Sequence, residues 1–168
     1  MAFQLGQCSS GAGLSLSSEV EIAPEELKIS DVMTPNVITC KPDDTVVDAA
    51  RKMAKYSIGS VVVVDDKGTI LGILTEGDIV RRVVARGLDP SRTLVRDVMT
   101  TNPVTIYSDA TLAAAAEYMK RKGIGHLPVV NEQGRLVGII TKTDIVRLAP
   151  SLIEVLYLRH RESMEETI

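Results

Sequence analysis

Aromatic residues make up only 3% of this 168-residue chain, with one Phe and no Trp, so Val, Ile, Leu, Met and Ala must fill the core. The same scarcity argues against the stacking platforms that bind single-stranded nucleic acid. Cysteine is as sparse. Cys8 and Cys40 lack metal-site spacing and cannot build a disulfide framework, which suits a reducing, cytoplasmic setting. No apolar run approaches the roughly 20 residues of a membrane span. The start, Met1 to Ser18, has no basic signal-peptide region; poor in charge and rich in Gly and Ser, it reads as a flexible tail. An excess of positive charge is missing too. The net charge of −3 and pI of about 5.4 disfavour nonspecific binding to DNA or to an anionic membrane. What remains, 45% hydrophobic and 24% charged, is the composition of a globular protein.

Within that composition the chain repeats itself. Asp31-Val32-Met33-Thr34 returns as Asp97-Val98-Met99-Thr100, an offset of 66 residues that then holds without a gap. Ile58-Gly59 meets Ile124-Gly125, and Gly72-Ile73 meets Gly138-Ile139. Thr75-x-x-Asp78-Ile79-Val80-Arg81 meets Thr141-x-x-Asp144-Ile145-Val146-Arg147. Two copies are too few for a solenoid and make a pseudo-symmetric pair instead. A unit of roughly 50 to 60 residues is marginal alone, so the copies are expected to bury a common surface.

Local signals order each copy. Ser30 is read as the cap of a short helical turn that Pro35 ends. Val37 to Cys40 predicts a strand. Pro42 to Thr45 opens a helix with Val46, Val47, Ala49, Ala50, Met53 and Ala54 on one side, broken by Gly59. The β-branched run Val61 to Val64 predicts a strand buried on both faces, followed by a turn at Asp65 to Gly68. Thr69 to Leu74 predicts a second strand, and a helix is expected from about Glu76 to Arg86, stopped by Gly87. In the second copy the same order predicts strands over Val104 to Tyr107, Leu127 to Val130 and Arg135 to Ile140. Helices are expected from Thr111 to about Lys122 and from Lys142 onward. Pro128, where the first copy has Val62, is expected at a strand end or unpaired edge. The resulting divisions are a tail over 1–28, repeats over 29–87 and 97–149, a connector over 88–96, and a C-terminal helix and tail over 150–168. Pro150 interrupts the final helix. Beyond it Leu152, Ile153, Leu156 and Tyr157 share one face, which covers either the domain's own core or a second chain.

Thr75 with Asp78, and Thr141 with Asp144, are the most chemical of the repeated residues. Each pair lies where an apolar strand turns into a helix. Two readings stand. Thr and Asp three positions apart at a helix start satisfy its free N–H groups and suit its dipole. Their oxygens, with nearby backbone N–H groups, can also hold vicinal hydroxyls such as those of a ribose. No Ser-His-Asp set, metal-ligand cluster or phosphate loop accompanies them, and His160 has no repeated partner. That speaks against an enzyme and leaves no catalytic residue and no metal ligand to name. A helix-turn-helix unit is missing as well, against a DNA-binding regulator.

The ordered set, Asp-Val-Met-Thr, an acidic turn and helix, Ile-Gly-x-x-x-Val-Val, then Gly-Ile-Leu/Ile-Thr-x-x-Asp-Ile-Val, resembles the CBS domain, named after cystathionine β-synthase. The resemblance spans Ile29 to about Leu148 and occurs in both copies. It implies a mixed α/β (α+β) fold of two pseudo-twofold-related β-α-β-β-α repeats packed through their sheets. It also implies a stand-alone, non-catalytic regulatory module with two clefts for adenosine-containing ligands. One cleft would join Thr141, Lys142 and Asp144 to Thr34, Asn36, Ile38, Gly59, Ser60 and Val61. The other would join Thr75 and Asp78 to Thr100, Asn102, Val104, Gly125, His126 and Leu127. The implied ligand is AMP, ADP or ATP. S-adenosylmethionine is a variant whose sulfonium would suit Glu76, in the second cleft, better than Lys142, in the first. Arg81, Arg82 and Arg147 are either phosphate contacts or a solvated helix face, and His126 is either a phosphate contact or a structural residue. The Asp144 cleft is favoured. A homodimer and an unidentified regulated protein are the expected partners. The alternative is an oligomerisation or partner-docking module whose clefts take no ligand.

Overall fold

A computed structural model describes residues 27–148. The two central helices, α2 (Val46–Tyr56) and α5 (Leu112–Lys122), show why the repeat folds as it does. Thr45 and Thr111 cap them, accepting hydrogen bonds from the backbone N–H of Asp48 at 3.2 Å and of Ala114 at 3.1 Å. Val46, Ala49 and Met53, and their counterparts Leu112, Ala115 and Met119, form the buried stripes. Val47 and Ala50 are half-buried and Ala54 is exposed, so the apolar face of α2 is narrower than its sequence pattern predicts. Gly59 does not stop this helix. Ser57 does, in the left-handed conformation at φ 53°, where the second copy has Gly123 at φ 66°. The lead-in turn α1 (Ile29–Val32) is likewise preceded by Lys28 rather than by Ser30, which lies inside it. Its counterpart is α4 (Val95–Val98).

Each repeat builds a sheet. In the first, β1 (Thr39–Cys40) runs parallel to β2 (Ser60–Val64), which forms a hairpin with β3 (Ile70–Thr75). All five residues of β2 are buried, as an unbroken β-branched run requires. The helix α3 (Glu76–Arg82) is shorter than its sequence predicts, and a 3₁₀ turn, Val84–Arg86, completes the segment up to Gly87 at φ 66°. The second sheet repeats the order with β5 (Ile106–Tyr107), β6 (His126–Val130) and β7 (Leu136–Thr141), and helix α6 is described over residues 142–148.

Pro128 sits inside the central strand β6 rather than at its end. Its effect falls on the neighbouring strand. Val62, at the matching position, donates its N–H to the Ile38 carbonyl at 3.3 Å, and β1 pairing begins at Thr39 with Val62. Pro128 has no N–H to give, and β5 pairing begins one position later, at Ile106 with Val129.

The lead-in segments change places. Thr100 and Thr101, the strand β4, pair with β3 of the first sheet, while Thr34 pairs with Ile139 in the second. Val95 and Val98 are buried in the first core, with Cys40, Val61, Val63 and Leu74. Ile29 is buried in the second, with Leu127, Val129 and Ile140. Gly72 and Gly138 permit the crossing. A Cβ at Gly72 would lie 2.9 Å from the Thr100 carbonyl oxygen and against the Met99 sulfur; at Gly138 it would meet the Met33 sulfur, with the Thr34 oxygen at 3.2 Å. The segment joining the repeats is tied down too: Val46 donates to the Thr93 carbonyl and Val95 to that of Asp44, both at 2.9 Å. Among the described residues no helix is long and apolar enough to cross a membrane, and no cluster of His, Cys, Asp and Glu forms a metal-binding group. The C-terminal stripe from Leu152 to Tyr157 lies outside the described residues, as do Pro150 and residues 1–26 of the N-terminal tail.

Candidate functional site

The repeated Thr-x-x-Asp pairs cap their helices. Thr75 donates to Asp78 Oδ2 from its N–H at 3.1 Å and from its hydroxyl at 2.8 Å, and the same hydroxyl accepts from the Asp78 N–H at 3.1 Å. At Thr141 the corresponding distances to Asp144 are 2.8, 2.7 and 3.3 Å. Capping therefore engages Oδ2 in both repeats, and the second carboxylate oxygen, Oδ1, is left for something else.

That oxygen distinguishes the two copies. Asp78 Oδ1 faces Arg82 at 3.4 Å and Arg81 at 3.7 Å, and Asp78 is 4% exposed. Position 148, the counterpart of Arg82, is Leu. Asp144 is half-buried and has no ion pair among the described residues.

Asp144 opens onto a cleft of about 990 Å³ at the seam of the two repeats. Of the residues expected at the first cleft, Thr34, Asn36, Ile38, Gly59, Ser60, Thr141, Lys142 and Asp144 line it. Val61 does not; it is fully buried in the first core. Of those expected at the second, Gly125 and His126 line this same cavity, whereas Thr75, Asp78, Thr100, Asn102, Val104 and Leu127 lie outside it. Leu127 is a core residue, and Val104 packs half-buried against the second core. Glu76, expected in the second cleft, shares this cavity with Lys142, and Arg147 lines it too. A Cβ on Gly59 would lie 3.4 Å from both Glu76 Oε1 and His126 Nε2, and one on Gly125 would lie 3.4 Å from the Lys142 chain. Glu76, His126 and Lys142 thus meet at the seam because two glycines leave room for them.

Several wall residues were not singled out from the sequence. Ala50, Met53, Ala54 and Ile58 line the cleft, with Ile79 from α3 and Ile139 from β7. A signal exists for two of them. Ala50 and Ala54 are small residues four apart beside the core stripe of α2, which leaves space where larger side chains would close it. Asn36 and Asn102, repeat partners, both adopt positive φ, 56° and 46°. Asn tolerates that conformation better than most residues, which is a backbone reason for its recurrence.

Electrostatics sharpen the picture. Burial holds the His126 imidazole below its ordinary range, countered by Glu76 and Asp144, reinforced by Lys142 and countered again by Asp78. The ring is neutral near pH 7. Cys40 is also buried and its thiol is pushed up to about 11, so it supplies no thiolate nucleophile. Apolar walls, a carboxylate oxygen beside a threonine, and both signs of charge at the rim suit a ligand with a flat apolar part, hydroxyls and a charged end.

The comparisons agree with this architecture. The family model for the CBS domain matches residues 29–85 and 95–151. An uncharacterized protein of Methanopyrus kandleri is 36% identical over 140 residues, spanning 83% of this chain and 71% of its own. The CBS domain pair of protein MJ0100, solved with 5′-methylthioadenosine and S-adenosyl-L-methionine, superposes with a TM-score of 0.68 at 29% identity, over 74% of this chain and 96% of that one. CBSX2, solved in complex with AMP, gives a TM-score of 0.63 at 27% identity, over 75% and 98%. With two lead-in-exchanged sheets, a cleft at their seam and both repeats matched, this chain belongs to the CBS-domain family as a tandem pair.

Proposed function

We propose that the cleft beside Asp144 binds an adenine nucleotide and that the module is a non-catalytic regulator, passing occupancy on to a partner protein or to its own oligomer. The observation that carries this is the division of labour at Asp144. Oδ2 caps α6, while Oδ1 has no ion-pair partner among the described residues and adjoins a cavity with apolar walls. Two ribose hydroxyls donating to that carboxylate would contribute about 1.5–3 kcal/mol each when shielded from water. Ile38, Ile58 and Ile139 would cover the base, and Lys142 and Arg147 would meet phosphate. Solved relatives that bind AMP, 5′-methylthioadenosine and S-adenosyl-L-methionine support the ligand class. A ligand touching both repeats alters their arrangement only by the difference between its affinities for the alternatives.

Calorimetry with AMP, ATP and S-adenosylmethionine tests this. Micromolar binding, about −8 kcal/mol, weakened about 10–100-fold in Asp144→Ala is the expected result. Heat unchanged by the substitution would remove the site. No heat with any ligand would favour the docking-module reading.

S-adenosylmethionine is the second reading, and Glu76 favours it. Its carboxylate lines the cavity and can face a sulfonium. Under this reading Glu76→Gln weakens S-adenosylmethionine and not AMP. Pairing into a homodimer has support in the exposed Val80 and Val146, repeat partners at 58% and 64% exposure on α3 and α6. Light scattering of the wild type against Val80→Glu/Val146→Glu reads it directly.

A further inference from the structure

We infer that the module is a one-site sensor, because Arg82 serves as a built-in occupant of the second ribose position. The inference rests on the reading of Asp144 as a ribose-binding residue. Its own support is the contrast between two positions related by the repeat.

Arg82 spans the gap between the repeats. One guanidinium nitrogen donates to the Val98 carbonyl at 2.7 Å; the other donates to Thr100 Oγ1 at 3.2 Å and lies 3.4 Å from Asp78 Oδ1. It therefore joins the first repeat's carboxylate to the second repeat's lead-in strand, the same two elements that Asp144 and Thr34 represent around the 990 Å³ cleft. A ribose on Asp78 would need the oxygen that the guanidinium holds. Arg81 adds a second cation to Asp78 Oδ1, and its guanidinium also covers Gly77, where a Cβ would come within 2.8 Å of it.

The matching site lacks this device. Leu148 stands at the Arg82 position and has neither charge nor hydrogen-bond donor in its side chain. Arg147 matches Arg81 but lines the cleft, and it forms no ion pair with Asp144 among the described residues. A carboxylate as buried as Asp78 is rarely left unpaired, and half-buried Asp144 keeps one oxygen facing the cleft. In the first repeat the chain supplies the partner itself; in the second it leaves that role to a ligand. Position 82/148 thus sets how many ligands the pair accepts.

Titration calorimetry with AMP on the full chain separates the cases. The wild type takes up one AMP per chain. Arg82→Leu, which copies Leu148, takes up two, and the added site disappears in Arg82→Leu/Asp78→Ala. The converse change, Leu148→Arg, weakens the original site about tenfold or more. Circular dichroism and melting confirm that each variant folds. Two AMP per wild-type chain, one of them lost in Asp78→Ala, would show Arg82 yielding to ligand and would overturn the inference. So would a folded Arg82→Leu that gains no site. A wild type that binds no AMP would refute the Asp144 reading and the one-site count together, whereas the two preceding outcomes overturn the inference and leave binding at Asp144 intact.

Discussion

At His126 burial outweighs the carboxylates of Glu76, Asp144 and Asp78, and Lys142 acts in the same direction as burial. The folded chain therefore favours the neutral ring, and the unfolded chain takes up the proton first as acid is added. His126 makes no destabilising contribution above its ordinary pKa of about 6.5; stability is lost as pH falls through that value toward the depressed folded-state pKa. Urea midpoints measured at about pH 7.5 and pH 5.5 should fall more steeply in the wild type than in His126→Asn. Equal slopes would mean that the ring is not desolvated. Cys40 makes the opposite statement in alkali. Its thiol, pushed up to about 11 by burial, is neutral in the folded chain when the unfolded thiol has begun to ionise near 9.0. Stability is lost as pH rises through 9.0, and iodoacetamide should modify Cys40 only after denaturant is added.

At the scale of elements, the crossing of the lead-ins over β3 and β7 is the most exposed to single substitutions. Gly72→Ala and Gly138→Ala should each destabilise by about 1–3 kcal/mol in denaturant unfolding, because a methyl group overlaps the crossing chain at both. The remedy differs. At Gly138 the nearest obstruction is the flexible Met33 side chain, so Met33→Ala should recover part of the loss within the double variant. At Gly72 the Thr100 carbonyl also stands 2.9 Å away, so Met99→Ala should recover less. Strand and helix content was legible in the sequence because the signals are local: β-branched runs for β2, stripes three and four apart for α2, and the Pro42 to Thr45 turn that opens it. The exchange was not legible. Asp-Val-Met-Thr announces a turn, and nothing in those four residues says whose sheet they join. Glu76 was misplaced for a related reason. Its position at the start of α3 was clear, but its direction depends on Gly59 and His126, which come near only in three dimensions. For Arg82 the sequence leaves a phosphate contact and a solvated face as equal readings; its grip on Val98 and Thr100 spans a distance in sequence that periodicity does not report.

For the whole molecule, the structural unit is offset from the sequence repeat. The first core takes Val95 and Val98 from beyond its own repeat and does without Ile29, which belongs to the second. A fragment over 29–87 should therefore melt poorly or not at all, whereas one over 33–101, carrying α4 and β4, should show a cooperative transition by circular dichroism. If 29–87 proved the more stable of the two, the exchanged lead-ins would be dispensable.

Two identical repeats trading their lead-ins would make a domain-swapped homodimer, and in such a dimer every position is duplicated by symmetry. Here residues 87–94 carry the chain from one swapped half to the other, so association no longer depends on concentration. The symmetry is also no longer compulsory. A guanidinium at position 82 and an isobutyl group at position 148 cannot coexist in a dimer of one repeated chain, because any substitution there would open or close both clefts together. Covalent linkage lets one half change its answer while the other keeps it.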